Sequence, residues 1–155
     1  MEKYWDGENW LNIKKEDNIV QYFLNKELHR KDGPAFIQYM VFIKSPTMIS
    51  NFDYYYDRNI ISNEEYYING KRHRENGPAI IYYYENGSVQ IENYYFNNKL
   101  HRIDGPASLY YNFESKCILK SYWFNGTKFD PEELPFEMTI DTEEKKLFMK
   151  LKYGG

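Results

Sequence analysis

The chain has 155 residues, a formal net charge of −3 and an isoelectric point near 5.7. That length suits one domain with a real core, and that charge gives no basic excess to draw nucleic acid or anionic lipid. The single cysteine, Cys117, excludes an internal disulfide framework and any multi-cysteine zinc site.

No apolar run approaches the roughly 18 residues of a membrane span. The opening Met1-Glu2-Lys3-Tyr4-Trp5-Asp6 lacks the apolar core of a secretory signal. A cytoplasmic protein is expected, neither secreted nor inserted in a membrane. Aromatic residues make up 19% of the chain, with 17 Tyr against three Trp. Tyrosine favours strands and keeps a polar tip, so this excess points to thin, half-wet sheets and away from disorder.

In chain order, Tyr4-Trp5-Asp6-Gly7 reads as a truncated copy of a longer repeating unit. The first full unit runs Tyr22-Phe23-Leu24-Asn25-Lys26-Glu27-Leu28-His29-Arg30-Lys31-Asp32-Gly33-Pro34-Ala35. It recurs without gaps from Tyr66 to Ala79 and from Tyr94 to Ala107, each copy ending His-Arg-x-Asp/Asn-Gly-Pro-Ala. A fourth copy begins Tyr122-Trp123-Phe124-Asn125-Gly126 and then diverges to Phe129-Asp130-Pro131. Starts at 22, 66, 94 and 122 give spacings of 44, 28 and 28, so the first unit carries 16 extra residues between Gln38 and Asn63. Ser45-Pro46 suggests a turn there and Phe52–Tyr56 a strand, hence an added or lengthened hairpin.

Turn chemistry divides each unit. Asn69-Gly70 and Asn125-Gly126 suit type I′ hairpin turns, and Asn97-Asn98 can serve in the same way. Asn86-Gly87 predicts a second hairpin joining Ile80–Glu85 to Ser88–Phe96. The pairs Gly33-Pro34, Gly77-Pro78 and Gly105-Pro106 predict corners, where glycine takes a conformation other residues avoid and proline removes a donor. Cys117 falls in a predicted strand and is expected to be a buried structural thiol.

The expected fold is therefore all-β. Tandem antiparallel hairpins span residues 1–129, with units starting near 4, 22, 66, 94 and 122. Residues 130–155 form a C-terminal cap, in which Asp141-Thr142-Glu143-Glu144 precedes Leu147, Phe148 and Leu151 and predicts an amphipathic helix over 142–152. Such units stack because none can bury an apolar face alone.

His29, His73 and His101 share one repeat position, and Arg30, Arg74 and Arg102 follow them. Read structurally, Arg pairs with Asp32 or Asp104 or caps the carbonyls of the Gly-Pro corner, while His donates to a backbone carbonyl. Read functionally, the spaced arginines beside tyrosines form a strip that recognises phosphate or acid. The structural reading is preferred, because a repeated motif more often specifies the repeat than one active site. No metal site is expected, since a stacked array spreads the three histidines along its axis. No catalytic residue and no cofactor is expected: nucleophile–base spacings, phosphate loops and zinc-protease motifs are missing.

Tyr66–Asn93, with Asn69-Gly70-Lys71-Arg72, Gly77 and Asn86-Gly87-Ser88, resembles a MORN-type repeat. The His-Arg-x-Asp/Asn-Gly-Pro-Ala version is similar to the divergent MORN-like repeats encoded by large DNA viruses and phages. The resemblance covers roughly residues 20–126. It implies a β-hairpin array with an interaction role and, for a viral protein, a place in the host cytoplasm or the virion. The expected function is a non-enzymatic protein–protein interaction or assembly module using a Tyr-rich sheet, with another protein or a second copy as partner and no nucleic acid. The alternative is a small-ligand binder that takes a phosphorylated or nucleotide-like anion through the Arg and Tyr positions. An enzyme with His73 or His101 as general base is a third, unfavoured reading.

Overall fold

Alternating apolar and polar residues, punctuated by Asn-Gly and Gly-Pro, favour short strands along the repeats. The computed structural model describes residues 2–43 and 54–130, and every regular element among them is a strand. The strands are β1 (Lys3–Trp5), β2 (Trp10–Glu16), β3 (Ile19–Leu24), β4 (Glu27–Leu28), β5 (Phe36–Ile43), β6 (Tyr54–Glu65), β7 (Tyr67–Ile68) and β8 (Lys71–Arg72). They continue as β9 (Ile80–Tyr83), β10 (Val89–Asn93), β11 (Tyr95–Phe96), β12 (Lys99–Leu100), β13 (Ser108–Tyr111), β14 (Cys117–Phe124) and β15 (Thr127–Phe129).

Two layers result. The first is an antiparallel meander in the order β1-β2-β3-β5-β6-β9-β10-β13-β14-β15, with β4 pairing the end of β3. The second is a row of short hairpins, β3/β4, β7/β8, β11/β12 and β14/β15, one per repeat. Backbone bonds link each hairpin to the next: Gly70 N–H donates to Leu28, Asn98 N–H to Arg72 and Gly126 N–H to Leu100. The row is thus a staggered ladder, and each unit leans on its successor as a stacked array requires.

Each hairpin turn is of the primed kind that matches strand twist. Asn69 (φ 50°) with Gly70 (φ 71°) and Asn125 (φ 53°) with Gly126 (φ 87°) occupy the left-handed region, as do Asn97 (φ 50°) and Asn98 (φ 68°). Asn25 (φ 51°) and Lys26 (φ 71°) make the same turn in the first unit, without glycine to advertise it. A second turn type joins the meander strands. Tyr84–Ser88 and Asn112–Lys116 close with matching backbone bonds, and Ser115 (φ 62°) stands where Gly87 (φ 80°) does.

The extra residues of the first unit lengthen a hairpin. β5 and β6 run eight and twelve residues against four each in β9 and β13, with two register irregularities around Tyr39. The predicted Ser45-Pro46 turn and C-terminal helix 142–152 lie outside the described residues. The strand expected after Asn86-Gly87 is shorter than predicted, since β10 ends at Asn93 and β11 belongs to the other layer. Cys117 is only half-buried at the start of β14, because its neighbours Ile118 and Leu119 lie on open sheet.

The core is thin. Ala35, Ala79 and Ala107, the last residue of each motif, are fully buried with Leu11, and Val20, Ile80 and Ile81 are nearly so. The alanines sit where the chain passes close behind the unit's first tyrosine: Tyr22, Tyr66 and Tyr94 donate their N–H to the carbonyls of Ala35, Ala79 and Ala107 at 2.7–2.8 Å. A larger side chain has no room there.

Candidate functional site

The His-Arg pairs follow β4, β8 and β12 directly, in backbone that has left the strand. The histidines reach the turn of the next unit, while the arginines fold back on their own. His29 is buried, while His73 and His101 are half-buried. The Nδ1 of His29 lies 3.1 Å from the backbone nitrogen of Asn69 and 3.0 Å from its carboxamide oxygen, and that of His101 accepts the N–H of Asn125 at 3.0 Å. His73 Nδ1 lies 3.2 Å from the Asn97 carboxamide oxygen. Each histidine thus ties its unit to the turn of the next. At His101 the expectation that histidine donates to a carbonyl is corrected: the ring nitrogen is the acceptor there, because the type I′ turn leaves an N–H unpaired towards the neighbour. The rings also pack along the array in tilted pairs, His73 with Phe96 and His101 with Phe124, at 4.7 Å between centres.

The arginines lie flat between tyrosine and glycine. Arg30, Arg74 and Arg102 place their guanidinium carbons 4.3, 3.8 and 4.0 Å from the ring centres of Tyr22, Tyr66 and Tyr94. On the other side, a Cβ at Gly33, Gly77 or Gly105 would come within 2.8, 3.1 or 3.3 Å of that carbon. Only Gly77 has a positive φ, of 138°. The sequence reading of these glycines as conformational devices holds at Gly77 and is corrected at Gly33 and Gly105, which keep space for a guanidinium. Pro78 completes the seat, its carbonyl accepting Arg74 Nη1 at 3.1 Å. Pro34 and Pro106 offer theirs to Arg30 and Arg102 at 3.5 and 3.4 Å.

Counter-ions separate the three copies. Arg30 Nε donates to Asp32 and Arg102 Nε to Asp104, both at 2.8 Å. Tyr4 adds its ring and hydroxyl to the first pair, donating to Asp32 while accepting from Arg30 Nη2. Burial alone would raise the Asp32 pKa, but the Tyr4 and Arg30 hydrogen bonds hold it below its ordinary value. Asn76 occupies the carboxylate position of the middle unit, and Arg74 forms no ion pair among the described residues.

Two grooves open on either side of Arg74. One, of about 580 Å³, runs between Arg30 and Lys31 and the wall of Tyr66, Ile68 and His73. The other, of about 720 Å³, lies between Arg74 and Asn76 and the wall of Tyr94, Phe96 and His101. The equivalent spaces at the array ends are filled from within. Phe129 stands at the histidine position of the fourth unit and packs with Phe124, Tyr122 and Ile103. At the other end Asp6 is buried, accepting the N–H groups of Glu8, Asn9 and Lys31, with its Oδ2 3.7 Å from His29 Nε2. The truncated copy is thus an end seal, whose buried Asp6 sequence reasoning did not single out. The spacing from Asp6 to Asn9 was the available signal for such a turn.

Most tyrosines have structural work. Tyr83 and Tyr111 donate to Glu64 and Glu92 at 3.0 and 2.9 Å, and burial together with these carboxylates pushes both hydroxyls well above the ordinary range. Tyr67 donates to Glu65, and burial together with that bond raises its pKa to about 12. Among described tyrosines only Tyr82 and Tyr110 are exposed. They stand on one sheet face, in a cross-strand row of Tyr82, Ile91, Tyr110 and Leu119 that continues from Asn63. Tyr67 and Trp123 lean onto the same face through bonds to Glu65 and Ser121. Among the described residues no three His, Cys, Asp or Glu side chains gather as a metal cluster. No family model, known protein or solved structure matches the chain.

Proposed function

We propose that the protein is a non-enzymatic protein–protein interaction or assembly module, of the MORN-like kind that viruses and phages encode, and that it binds through the aromatic face of its repeat sheet. The observation that supports this most is the row formed by Tyr82, Ile91, Tyr110 and Leu119. Tyr82, Tyr110 and Leu119 keep 37%, 39% and 58% of their surface exposed, whereas Tyr4, Tyr22, Tyr66, Tyr67, Tyr83, Tyr94 and Tyr111 are half-buried. Tyrosine and aliphatic side chains in adjoining strand positions present a rigid, largely apolar surface at low entropic cost, the composition that protein interfaces favour.

The test is sedimentation velocity and crosslinking of the full chain beside the double variant Tyr82→Ser/Tyr110→Ser. The expected result is a defined oligomer, or a stoichiometric partner complex, that the variant loses while its unfolding midpoint stays near that of the parent. A strictly monomeric chain whose crosslinks and retained proteins are the same in both forms would overturn the reading.

A further inference from the structure

We infer that the groove beside Arg74 is a binding site for an aspartate side chain of a partner polypeptide, supplied from outside to a position that the neighbouring repeats fill for themselves. In the first and third units the guanidinium is held on three sides: tyrosine ring, glycine backbone and an Asp carboxylate 2.8 Å from Nε. The middle unit keeps the ring at 3.8 Å, the glycine and the proline carbonyl, so its guanidinium is equally pre-set. Only the carboxylate is replaced, by the neutral and exposed Asn76. Oriented guanidinium donors facing a groove are what recognition of a carboxylate needs, because the entropy of fixing the arginine has already been spent in folding.

The surroundings agree with this ligand. Arg102 borders the same groove with its charge answered by Asp104, and Glu75 stands at the rim without an ion pair to Arg74. Phe96, 48% exposed, offers an apolar wall on which a residue next to the aspartate can rest. The groove's 720 Å³ has room for a dipeptide-sized probe. This site is separate from the Tyr82 face. It depends on the interaction-module reading only for the source of the carboxylate, and a small probe tests it whether or not that face binds protein.

The experiment follows the arginine Nε–H signals of the ¹⁵N-labelled full chain during titration with acetyl-Tyr-Asp-amide, acetyl-Tyr-Asn-amide and inorganic phosphate at low ionic strength. The Arg74 signal should shift saturably with the aspartyl probe, with a dissociation constant on the order of 1 mM, and stay still with the asparaginyl one. Arg30 and Arg102 should not respond. Asn76→Asp, which restores the residue type of the sister units and so preserves the fold, should weaken the response at least about tenfold by occupying the site internally. The inference is overturned by a still Arg74 signal, by equal responses to the two peptides or in the two proteins, or by phosphate binding as well as the aspartyl probe.

Discussion

Gly33→Ala separates two reasons for a glycine in the repeated corner. The backbone of Gly33 lies outside the left-handed region, so alanine meets no conformational penalty there. Its Cβ would however fall 2.8 Å from the Arg30 guanidinium carbon, which the Tyr4 and Tyr22 rings and Asp32 hold in place. Displacing that group forfeits most of two cation–π contacts, each worth about 1 kcal/mol at partly exposed sites. It also loses an ion pair that its exposed Asp32 limits to roughly 0.5–1 kcal/mol. Gly33→Ala should therefore cost about 2 kcal/mol in urea unfolding, with an unchanged m-value. In an Arg30→Ala background, the same change should cost less than about 0.5 kcal/mol, since nothing remains to be displaced. Gly77→Ala is the control: with φ at 138°, it should stay costly in an Arg74→Ala background. Equal costs for Gly33→Ala in both backgrounds would refute the guanidinium-seat explanation.

Two turns carry a side chain in the left-handed region that glycine would occupy without strain. Lys26→Gly (φ 71°) and Ser115→Gly (φ 62°) should each stabilise by about 0.5–1 kcal/mol, read as a midpoint rise of about 2 °C by calorimetry; a fall in either would show that the present side chain makes a contact worth more. Asn98→Gly should gain nothing, because the Asn98 carboxamide accepts the Arg72 N–H at 2.7 Å. Acid should act in two stages. Burial pushes the His101 pKa below its ordinary 6.5, and its Nδ1 accepts a proton-bearing partner, so the unfolded chain takes up the proton first. This contribution is complete above pH 6.5 and is lost as pH falls through the depressed value. For Asp6, burial works upward but the N–H groups of Asn9, Glu8 and Lys31 hold the pKa below its ordinary 3.8, so its contribution persists above that pH and disappears as pH falls through the lowered value. Urea midpoints across this range should show both steps, and His101→Phe, which copies Phe129 of the fourth unit, should remove the first.

The period of 28, the type I′ turns at Asn69-Gly70 and Asn125-Gly126 and the all-β class are legible because each is local chemistry repeated several times. Asn25-Lys26 and Asn112–Lys116 were harder, since Lys26 and Ser115 take backbone angles their residue types rarely take. The partner of each histidine was not legible at all. It depends on which backbone group of the following unit lies opposite, a fact of stacking geometry and not of spacing. The same holds for Gly33 and Gly105, whose purpose is visible only once an arginine three residues away is seen lying over them.

A motif repeated for architecture is most informative where one copy departs from it. Replacing Asp by Asn at position 76 removes a partly exposed ion pair, which costs at most about 1 kcal/mol, because the guanidinium stays on Tyr66 and on the carbonyl of Pro78. The same change at Asp32 would leave one carboxamide oxygen for two donors, the Tyr4 hydroxyl and Arg30 Nε, and loosen the end seal. The middle unit is thus the place in the array where a charge can be left unanswered at little expense to folding. It is also the unit whose two flanking grooves remain open. An array closed at its ends by Tyr4 and Phe129 and uncompensated at its centre concentrates its spare binding capacity at Arg74, the position at which a partner's carboxylate would complete the pattern.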